Sequence, residues 1–400
     1  MLENYTKLDT EYSKNWHDLG TTIIYKHSSF VFNNNVLLLD FENCLIKKMS
    51  NPQLYHSIDP KSIILYNEDF FNKIYKERNM YSIVIISNVS DAGKLAIDSL
   101  KLKLELFLNK YDLPLLAFFA TKKNRWSKPY TGQWNLINGY FKKYDVIIKR
   151  ACIVSDNGGR ILEKELKTGI IKTKADNTDF DRAFAHNIEI PYYTINEYLD
   201  INKKEKFNWN SICLSPDKRE KYIETLKLYN NPNLFAKLEE LSKLDRFMII
   251  IYGAPRAGKT TVANELLSFW NKVYGHSRVL KRLGLEKNSK IKRINDTKKA
   301  LNNRINVIID GGTHTTMLRE PYEKIANEYK TPITYIEINP GFGMAYLFNH
   351  VTVETANDED IEIYNLREYF YYKSTLQKPD NTISYCPIIK KTKQIMKFRY

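Results

Sequence analysis

Short apolar runs recur along this chain of 400 residues, and most of them end in a polar side chain. Runs of this length that are apolar on both faces are typical of the central strands of a parallel sheet, and the periodic segments between them are typical of crossover helices. They span residues 36–40, 83–87, 152–156, 248–252, 307–310 and 333–338. The pattern predicts an α/β fold with two domains, each a parallel sheet with helices on both faces.

A polar, non-periodic stretch at about 203–217 separates the first three runs from the last three. Such a stretch is typical of a boundary. We therefore place a first domain at residues 1–205, a linker and connecting helix at 206–245, and a second domain at 246–400. In the second domain we predict a helix at 261–274. The apolar residues that share one face of it, and that we expect in the core, are Val262, Leu266, Phe269, Trp270 and Val273.

The charge of the chain favours polyanionic partners. It has 61 Lys and Arg against 46 Asp and Glu, a formal net charge of +15, which ranks nucleic acid above an anionic membrane surface as the expected partner. No apolar run reaches the ~18 residues of a spanning helix, and the amino terminus lacks a signal-peptide pattern. The four cysteines are scattered without a CxxC pair. We expect a soluble intracellular protein with reduced thiols and no membrane partner, and we exclude a disulfide framework and a zinc site.

The segment 253–260 matches the pattern GxxxxGK[ST], directly after one predicted strand and directly before a predicted helix. Glycines let such a loop, the P-loop, direct its backbone N–H groups at phosphate oxygens, and the start of the helix adds partial positive charge. We predict ATP binding by Gly253, Gly258, Lys259, Thr260 and Thr261, with the lysine on the terminal phosphates and the Thr260 hydroxyl on Mg²⁺. The alternative is a glycine turn that carries a surface lysine.

Asp310 ends a predicted strand and precedes Gly311 and Gly312. Folds of this class place a carboxylate beside the phosphates at such a position. Three roles stay open for it: it can contact the metal through water, orient an acceptor, or cap a turn.

Asp40 also ends a predicted strand, and Glu42 follows two residues later. This spacing suits a phosphoaspartyl mechanism, in which the first carboxylate attacks phosphorus and the second gives and then takes a proton. Three later groups complete such a site: Ser87 for a phosphoryl oxygen, Lys128 for charge, and Asp156 to share Mg²⁺ with Asp40. Taken singly, Ser87 and Asp156 are equally compatible with turns, and Lys128 with a solvated surface lysine.

Five segments together resemble the haloacid-dehalogenase-type phosphatase domain of the polynucleotide kinase 3′-phosphatases. The P-loop and the strand that ends at Asp310 resemble the kinase domain that follows it in the animal enzymes, so the likeness extends from about residue 36 to 378. The KPxxGxW and DRxFAxN segments are its most specific parts. The five segments are Leu-Asp40-Phe-Glu42, Ile-Ser87-Asn88, Ser127 to Trp134, Val-Ser-Asp156 to Arg160, and Asp181 to Asn187.

The resemblance implies an end-healing enzyme that removes 3′-phosphates from nucleic acid and phosphorylates 5′-hydroxyl ends, with Mg²⁺ and ATP as cofactors. It implies Asp40 as the nucleophile, Ser87 and Lys128 as phosphate binders and Asp156 as a Mg²⁺ ligand, and it gives Lys259 and Thr260 to ATP. It also favours the nucleus or a viral replication compartment as the location.

Two departures from the family pattern define an alternative. Glu42 stands where the family has Asp in DxDGT, and a misplacement of ~1 Å can cost about 10²-fold in rate. If the enzyme hypothesis is right, Glu42→Asp should leave activity unchanged or raise it, and a loss would show that the site has adapted to glutamate. In the kinase half no carboxylate follows the P-loop helix at 279–284, so Glu286, Asp296 or Asp310 would have to accept the hydroxyl proton. The alternative is a catalytically reduced homologue that serves as a nucleic-acid-binding or scaffold protein.

Basic clusters suit both hypotheses, because cations neutralise phosphates and aromatic rings stack on unpaired bases. One cluster precedes the KPxxGxW segment, and we predict that it contacts nucleic acid. A second at 287–299 is interpreted as a solvated helix face, and a third lies at 390–399. Without the family's lid arginines, Arg319 or Arg367 would stabilise the transferring phosphoryl group. The predicted nucleic-acid contacts are Lys122, Lys123, Arg125 and Trp126.

Overall fold

The structure is a computed structural model, and its two compact units are described separately. One unit takes the described residues within 1–211, 353–363 and 397–400, and the other takes those within 212–352 and 364–396. The described residues are 15–48, 61, 63–89, 93–164, 171–173, 175–176, 178–209, 215–228, 232–275, 277–284, 290–356, 361, 363–387 and 397–399.

A seven-stranded sheet in the order β1-β2-β5-β4-β3-β6-β9 forms the centre of the first unit. The strands, with the separate antiparallel pair β7 and β8, are β1 Trp16–Asp18, β2 Thr22–Lys26, β3 Asn35–Leu39, β4 Ser82–Asn88, β5 Leu116–Ala120, β6 Arg150–Val154, β7 Glu163–Lys164, β8 Ile171–Thr173 and β9 Tyr192–Tyr193. The five strands from β5 to β9 in this order are parallel, whereas β1 and β2 are antiparallel additions at one edge.

Both faces of this sheet are covered, which explains why its central strands are apolar throughout. Leu37 and Leu39 of β3 pack into one buried cluster, and Val36 and Leu38 pack into another. Alternate side chains of a strand point to opposite faces, so each cluster lies on its own side of the sheet. The helices of this unit are α1 Glu68–Glu77, α2 Lys94–Tyr111, α3 Gly132–Lys143, α4 Phe180–Asn187 and α5 Ile195–Leu199.

The second unit contains a fully parallel sheet in the order β11-β12-β10-β13-β14. Its strands are β10 Met248–Gly253, β11 Leu280–Gly284, β12 Asn306–Asp310, β13 Ile333–Ile338 and β14 Ile383–Tyr385. Ile249 and Ile251 of β10 pack on one face, and Met248 and Ile250 on the other. The helices after residue 212 are α6 Pro216–Leu228, α7 Leu234–Ser242, α8 Lys259–Tyr274, α9 Lys290–Asn302, α10 Thr316–Glu328, α11 Phe342–Thr355 and α12 Leu366–Thr375.

The predicted fold class and all six predicted strands are confirmed. One core assignment is wrong: Val273 is 50% exposed, because the packed face of α8 runs through Leu266, Trp270 and Tyr274, and Val273 lies to one side of it. Val262, Leu266 and Trp270 are buried as expected. Cys44, Cys152 and Cys386 are free thiols, and Cys213 lies outside the described residues. Within the part of the chain that the structure describes, no helix is long and apolar enough to cross a bilayer.

Candidate active site

The carboxyl end of β3 brings the first group of predicted site residues together. This strand lies between β4 and β6 and is parallel to both. Asp40 directly follows β3, Ser87 is the last residue but one of β4, and Asp156 comes two residues after β6. The carboxyl ends of parallel strands lie at the same edge of a sheet, so the sheet brings these three side chains together at that edge.

Asp40 is buried and its carboxylate is held from three sides. Its Oδ1 accepts hydrogen bonds from the backbone N–H of Phe41, at 2.8 Å, and from the Ser87 hydroxyl. Its Oδ2 lies 3.0 Å from the Nζ atom of Lys128. The carboxylate is therefore fixed in place, which is the condition for a nucleophile that must attack along one line.

Lys128 is buried at the same edge and is not the surface lysine of the alternative interpretation. Its Nζ lies 2.8 Å from Asp181 Oδ1 and donates to the carbonyl oxygen of Ile86 at 2.9 Å. Burial by itself would lower the pKa of this amine, but the carboxylates of Asp181 and Asp40 outweigh it and raise the pKa above its usual value. The Asn88 side chain bonds both the N–H and the C=O of Lys128, each at 2.8 Å, and so fixes its backbone.

Three carboxylates share this edge, because Asp40, Asp156 and Asp181 have oxygen atoms that all lie within 4.8 Å of one another. Burial, followed by the like charges of its neighbours, raises the pKa of Asp156 to about 8. Burial is also the main cause that raises the pKa of Asp181 to about 6. A cluster of carboxylate oxygens with this surplus of negative charge fits a hard divalent cation such as Mg²⁺.

The loop after Asp40 forms the tight turn of the family pattern DxDGT with asparagine and cysteine in place of glycine and threonine. Asn43 stands at the family's glycine position with φ of 58°, a left-handed conformation that asparagine tolerates better than most residues. Cys44 is buried and its thiol donates to the carbonyl oxygen of Val154 at 3.3 Å. Glu42 directs its Oε1 at the Nζ atom of Lys103 of α2, at a distance of 2.6 Å.

The P-loop of the second unit depends on its glycines. A Cβ atom added to Gly253 would stand 2.4 Å from the carbonyl oxygen of Ile338, and Gly258 has φ of +101° where α8 begins. Lys259 turns onto the loop, where its Nζ donates to the carbonyl oxygens of Gly253, at 3.0 Å, and Ala254, at 2.7 Å. Burial lowers its pKa to about 8, with Asp310 opposing the shift and Arg256 adding to it.

Asp310 lies beside this loop and is already bonded. Its Oδ2 accepts from the Thr260 hydroxyl at 2.8 Å and from Arg282 Nε at 2.8 Å. Arg282 belongs to the segment 279–284, in which the family's carboxylate was expected. A cavity of about 830 Å³ opens here, lined by residues of the second unit that include the P-loop, Thr261, Asp310, His314, Arg367 and Glu368.

Comparison with known proteins finds a match to the first unit. A family model described as "Polynucleotide kinase 3 phosphatase" matches residues 35–199. The match includes all five motif segments on which the resemblance was based. The resemblance stated from the sequence motifs is thereby confirmed.

Two relatives and two solved structures are also similar to parts of the chain. The bifunctional polynucleotide phosphatase/kinase of Schizosaccharomyces pombe is 23% identical over 337 residues, which cover 81% of this chain and 72% of the relative. An uncharacterized 20.8 kDa protein of Autographa californica nuclear polyhedrosis virus is 28% identical over 124 residues, 30% of this chain and 63% of the relative. Kti12 of Chaetomium thermophilum with ADP-AlF3 is 16% identical, with a TM-score of 0.29 over 38% of this chain and 94% of Kti12. A gluconokinase of Sinorhizobium meliloti 1021 is 9% identical, with a TM-score of 0.26 over 38% of this chain and 87% of the gluconokinase.

Asp181 and Lys103 contact predicted site residues of the first unit, and the sequence had suggested a role for neither. Asp181 opens α4 within the DRxFAxN segment, so the motif itself was the signal for it. The Asn187 amide of the same segment donates to the carbonyl oxygen of Pro129 at 2.9 Å and thus joins the two most specific motifs. Lys103 gave no signal, because a lysine within a charged helix is typical of a solvated surface.

The residues considered for phosphoryl transfer in the second unit differ in whether they line the cavity. Arg319 is 3% exposed and donates to the carbonyl oxygens of Thr313 at 3.1 Å and Gln377 at 2.7 Å. These hydrogen bonds link α10 to neighbouring loops, and of the two arginines proposed as alternatives, Arg367 lines the cavity and Arg319 is not among its lining residues. Asp296 lies on α9 and is not among the cavity residues. Glu286 is outside the described residues.

The predicted base-stacking residue Trp126 is 4% exposed and packs in the core of the first unit. Its ring offers no face to a base, so that expectation is wrong; the ring instead receives the Arg125 guanidinium at 5.0 Å. Lys122 is half-buried and Lys123 is exposed. Of the other basic clusters, residues 285–289 and 388–396 lie outside the described part of the chain.

Proposed function

We propose that this protein is a nucleic-acid end-healing enzyme, a Mg²⁺-dependent polynucleotide 3′-phosphatase that works through a phosphoaspartate on Asp40. One observation carries the proposal: the fixed, buried carboxylate of Asp40 lies among Ser87, Lys128 and the oxygens of Asp156 and Asp181. The polynucleotide phosphatase/kinase of S. pombe, which aligns with most of the chain, supports the substrate class.

The residues divide the reaction into two displacements. An oxygen of Asp40 attacks phosphorus, the bond from phosphorus to the 3′-oxygen breaks, and Glu42 gives its proton to that oxygen. Water then attacks the phosphoaspartate while Glu42 takes the proton back, which releases phosphate and restores Asp40. Ser87 and Lys128 hold phosphoryl oxygens throughout. Mg²⁺ bound by Asp40 and Asp156, with Asp181 nearby, would supply positive charge that offsets the charge of carboxylate and phosphate.

The second unit is proposed to bind ATP at the P-loop. The backbone N–H groups and the start of α8 suit the phosphates, and Lys259 can exchange its carbonyl partners for the terminal phosphates. Thr260 and Asp310 are hydrogen-bonded and stand where both can serve Mg²⁺. A kinase activity toward 5′-hydroxyl ends would be the use of this nucleotide.

A second function for this unit, nucleotide binding without transfer, rests on a specific observation. Among the described residues that line the cavity, the carboxylates are those of Asp310 and Glu368. Asp310 is bonded to Thr260 and Arg282, and Glu368 accepts from the Asn365 N–H at 2.7 Å in a capping box. A general base must be able to receive a proton from the acceptor, so both carboxylates would have to give up a partner first.

The decisive experiment follows both ends of an oligonucleotide. Purified protein is incubated with a 3′-phosphorylated strand and with a 5′-hydroxyl strand, with Mg²⁺ and ATP, and with EDTA in a parallel arm. We expect release of 3′-phosphate that EDTA abolishes, and weak or no transfer to the 5′ end. Binding of both strands without any change at the 3′ end would contradict the phosphatase and favour the scaffold alternative.

A further inference from the structure

A buried lysine of α2 reaches the residue proposed to transfer the proton. The Nζ atom of Lys103 lies 2.6 Å from Oε1 of Glu42, and the two side chains are 7% and 28% exposed. An ammonium group withdrawn from water to this degree is costly unless it is paired. The partner it has found belongs to the Asp40 loop, although Lys103 itself lies 61 residues further along the chain.

The position of this ammonium group is set by the packing of α2. Leu100, Leu104 and Phe107, which flank Lys103 on the same face at helical spacing, are buried in one cluster of the first unit. Side chains three and four apart on a helix are neighbours, so the stem of Lys103 lies along that apolar face and directs its end at the loop. The packing therefore fixes the position of the ammonium group, and a carboxylate on a side chain of suitable length can form an ion pair with it.

The length of the side chain at position 42 decides whether this ion pair can form. The family pattern has Asp at this place, and its carboxylate would end one C–C bond, roughly 1.5 Å, nearer to the backbone. From there it could keep the 2.6 Å contact with the Lys103 ammonium group only if the lysine left its present rotamer or if α2 or the loop moved. Glu42 and Lys103 thus fit each other as a pair.

We propose that Lys103 is a positioning residue that sets the carboxylate of Glu42 for proton transfer to the 3′-oxygen. The proposal rests on the phosphatase function given above and explains why this site uses glutamate. It reverses the expectation from the sequence for Glu42→Asp: the shorter side chain loses its anchor, and activity falls.

The test compares two leaving groups. The 3′-oxygen of an oligonucleotide leaves as an alkoxide unless it is protonated, whereas p-nitrophenolate leaves readily without a proton. We expect Lys103→Met to lower kcat/KM, which reports the steps up to departure of the leaving group, by about 10²-fold for the 3′-phosphorylated oligonucleotide, as for a misplacement near 1 Å. The loss of kcat/KM on p-nitrophenyl phosphate should be no more than a few-fold. Lys103→Arg, which keeps a cation, should retain more activity than Lys103→Met, and Lys94→Met, at an exposed lysine of the same helix, should match the wild type.

A double-variant cycle removes the remaining ambiguity. If Lys103 acts through Glu42, then Lys103→Met should cost much less in the Glu42→Asp background than in the wild type. Equal losses on both substrates, full additivity in the cycle, or a gain of activity in Lys103→Met would each overturn the proposal; circular dichroism of each variant verifies that it is folded. A wild type without activity on the 3′-phosphate overturns the proposed function as well, whereas an active wild type with an equally active Lys103→Met variant overturns only the role of Lys103.

Discussion

The two candidate sites use the same strand-end geometry with opposite charge. At the end of β3, three carboxylates surround one buried lysine. At the neighbouring ends of β10 and β12, one buried carboxylate, that of Asp310, pairs with Arg282 and lies near Lys259. We therefore expect a metal cation at the first edge and phosphate anions at the second. The fold provides the convergence of strand ends, and the residues placed there decide what is bound.

The sites also differ in how complete they are. Around Asp40 the motif segments contact one another, and each predicted catalytic or metal-binding side chain except Glu42 contacts or clusters with Asp40. Around Lys259 the nucleotide-binding part is complete, while the residue that would accept the hydroxyl proton is not identified by its contacts. We therefore predict catalysis at the first site and nucleotide binding at the second.

The largest effect is expected for Asp40→Asn. An amide of the same shape cannot attack phosphorus, so release of 3′-phosphate should fall on the order of 10⁴-fold or more, while the thermal midpoint stays close to that of the wild type. Phosphate release from a 3′-phosphorylated oligonucleotide measures the loss. Asp98→Asn, which removes an exposed carboxylate of α2, is the control. Substantial turnover by Asp40→Asn would remove Asp40 from the mechanism and end the contrast between the two sites.

The second prediction concerns the kinase half alone. Asp310→Asn should reduce any transfer to a 5′-hydroxyl end by about 10³-fold, the range of a lost general base, because the charge that faces Thr260 and Arg282 is gone. Removal of 3′-phosphate should not change, since that site belongs to the other unit. The matched control is Asp296→Asn. A loss of transfer in the control rather than in Asp310→Asn would make Asp296 the base.

The parts of both sites that lie at strand ends could be predicted from the sequence. Asp40 and Asp310 each end an apolar run, and a run buried on both faces leaves little freedom in where its end lies. Lys128 and Asp181 lie on a loop and a helix, where periodicity gives no position, and Asp181 was within reach only through its motif. Lys103 was out of reach because its partner depends on how α2 packs on the sheet. The prediction for Trp126 was wrong because an arginine followed by an aromatic residue occurs both in protein cores and on nucleic-acid-binding surfaces, and the sequence does not distinguish the two.

ATP binding provides the third prediction. Lys259→Ala should weaken the binding of ATP·Mg²⁺ by about 10²-fold, the value of a lost hydrogen bond to a charged group, because the backbone loop remains but its ammonium group does not. Calorimetric titration measures the affinity, and Lys272→Ala, at an exposed lysine of α8, is the control. Equal affinities for wild type and Lys259→Ala would mean that the second site does not bind phosphate as proposed, and the contrast in charge would lose its functional meaning.

The smallest expected effect separates surface from core in the first unit. Lys123 is exposed and Trp126 is buried, although only two residues lie between them. Lys123→Ala should weaken the binding of single-stranded oligonucleotides by a few-fold regardless of their sequence and lower the salt slope by about 1, as for one lost phosphate contact. Trp126→Leu should leave that slope unchanged and instead lower the free energy of unfolding by about 2 kcal/mol or more, because it opens a cavity in a packed core. Fluorescence anisotropy at several salt concentrations and urea unfolding measure the two quantities. If Trp126→Leu changed the salt slope and Lys123→Ala did not, the nucleic acid would have to approach the first unit by a face other than the one that Lys123 marks.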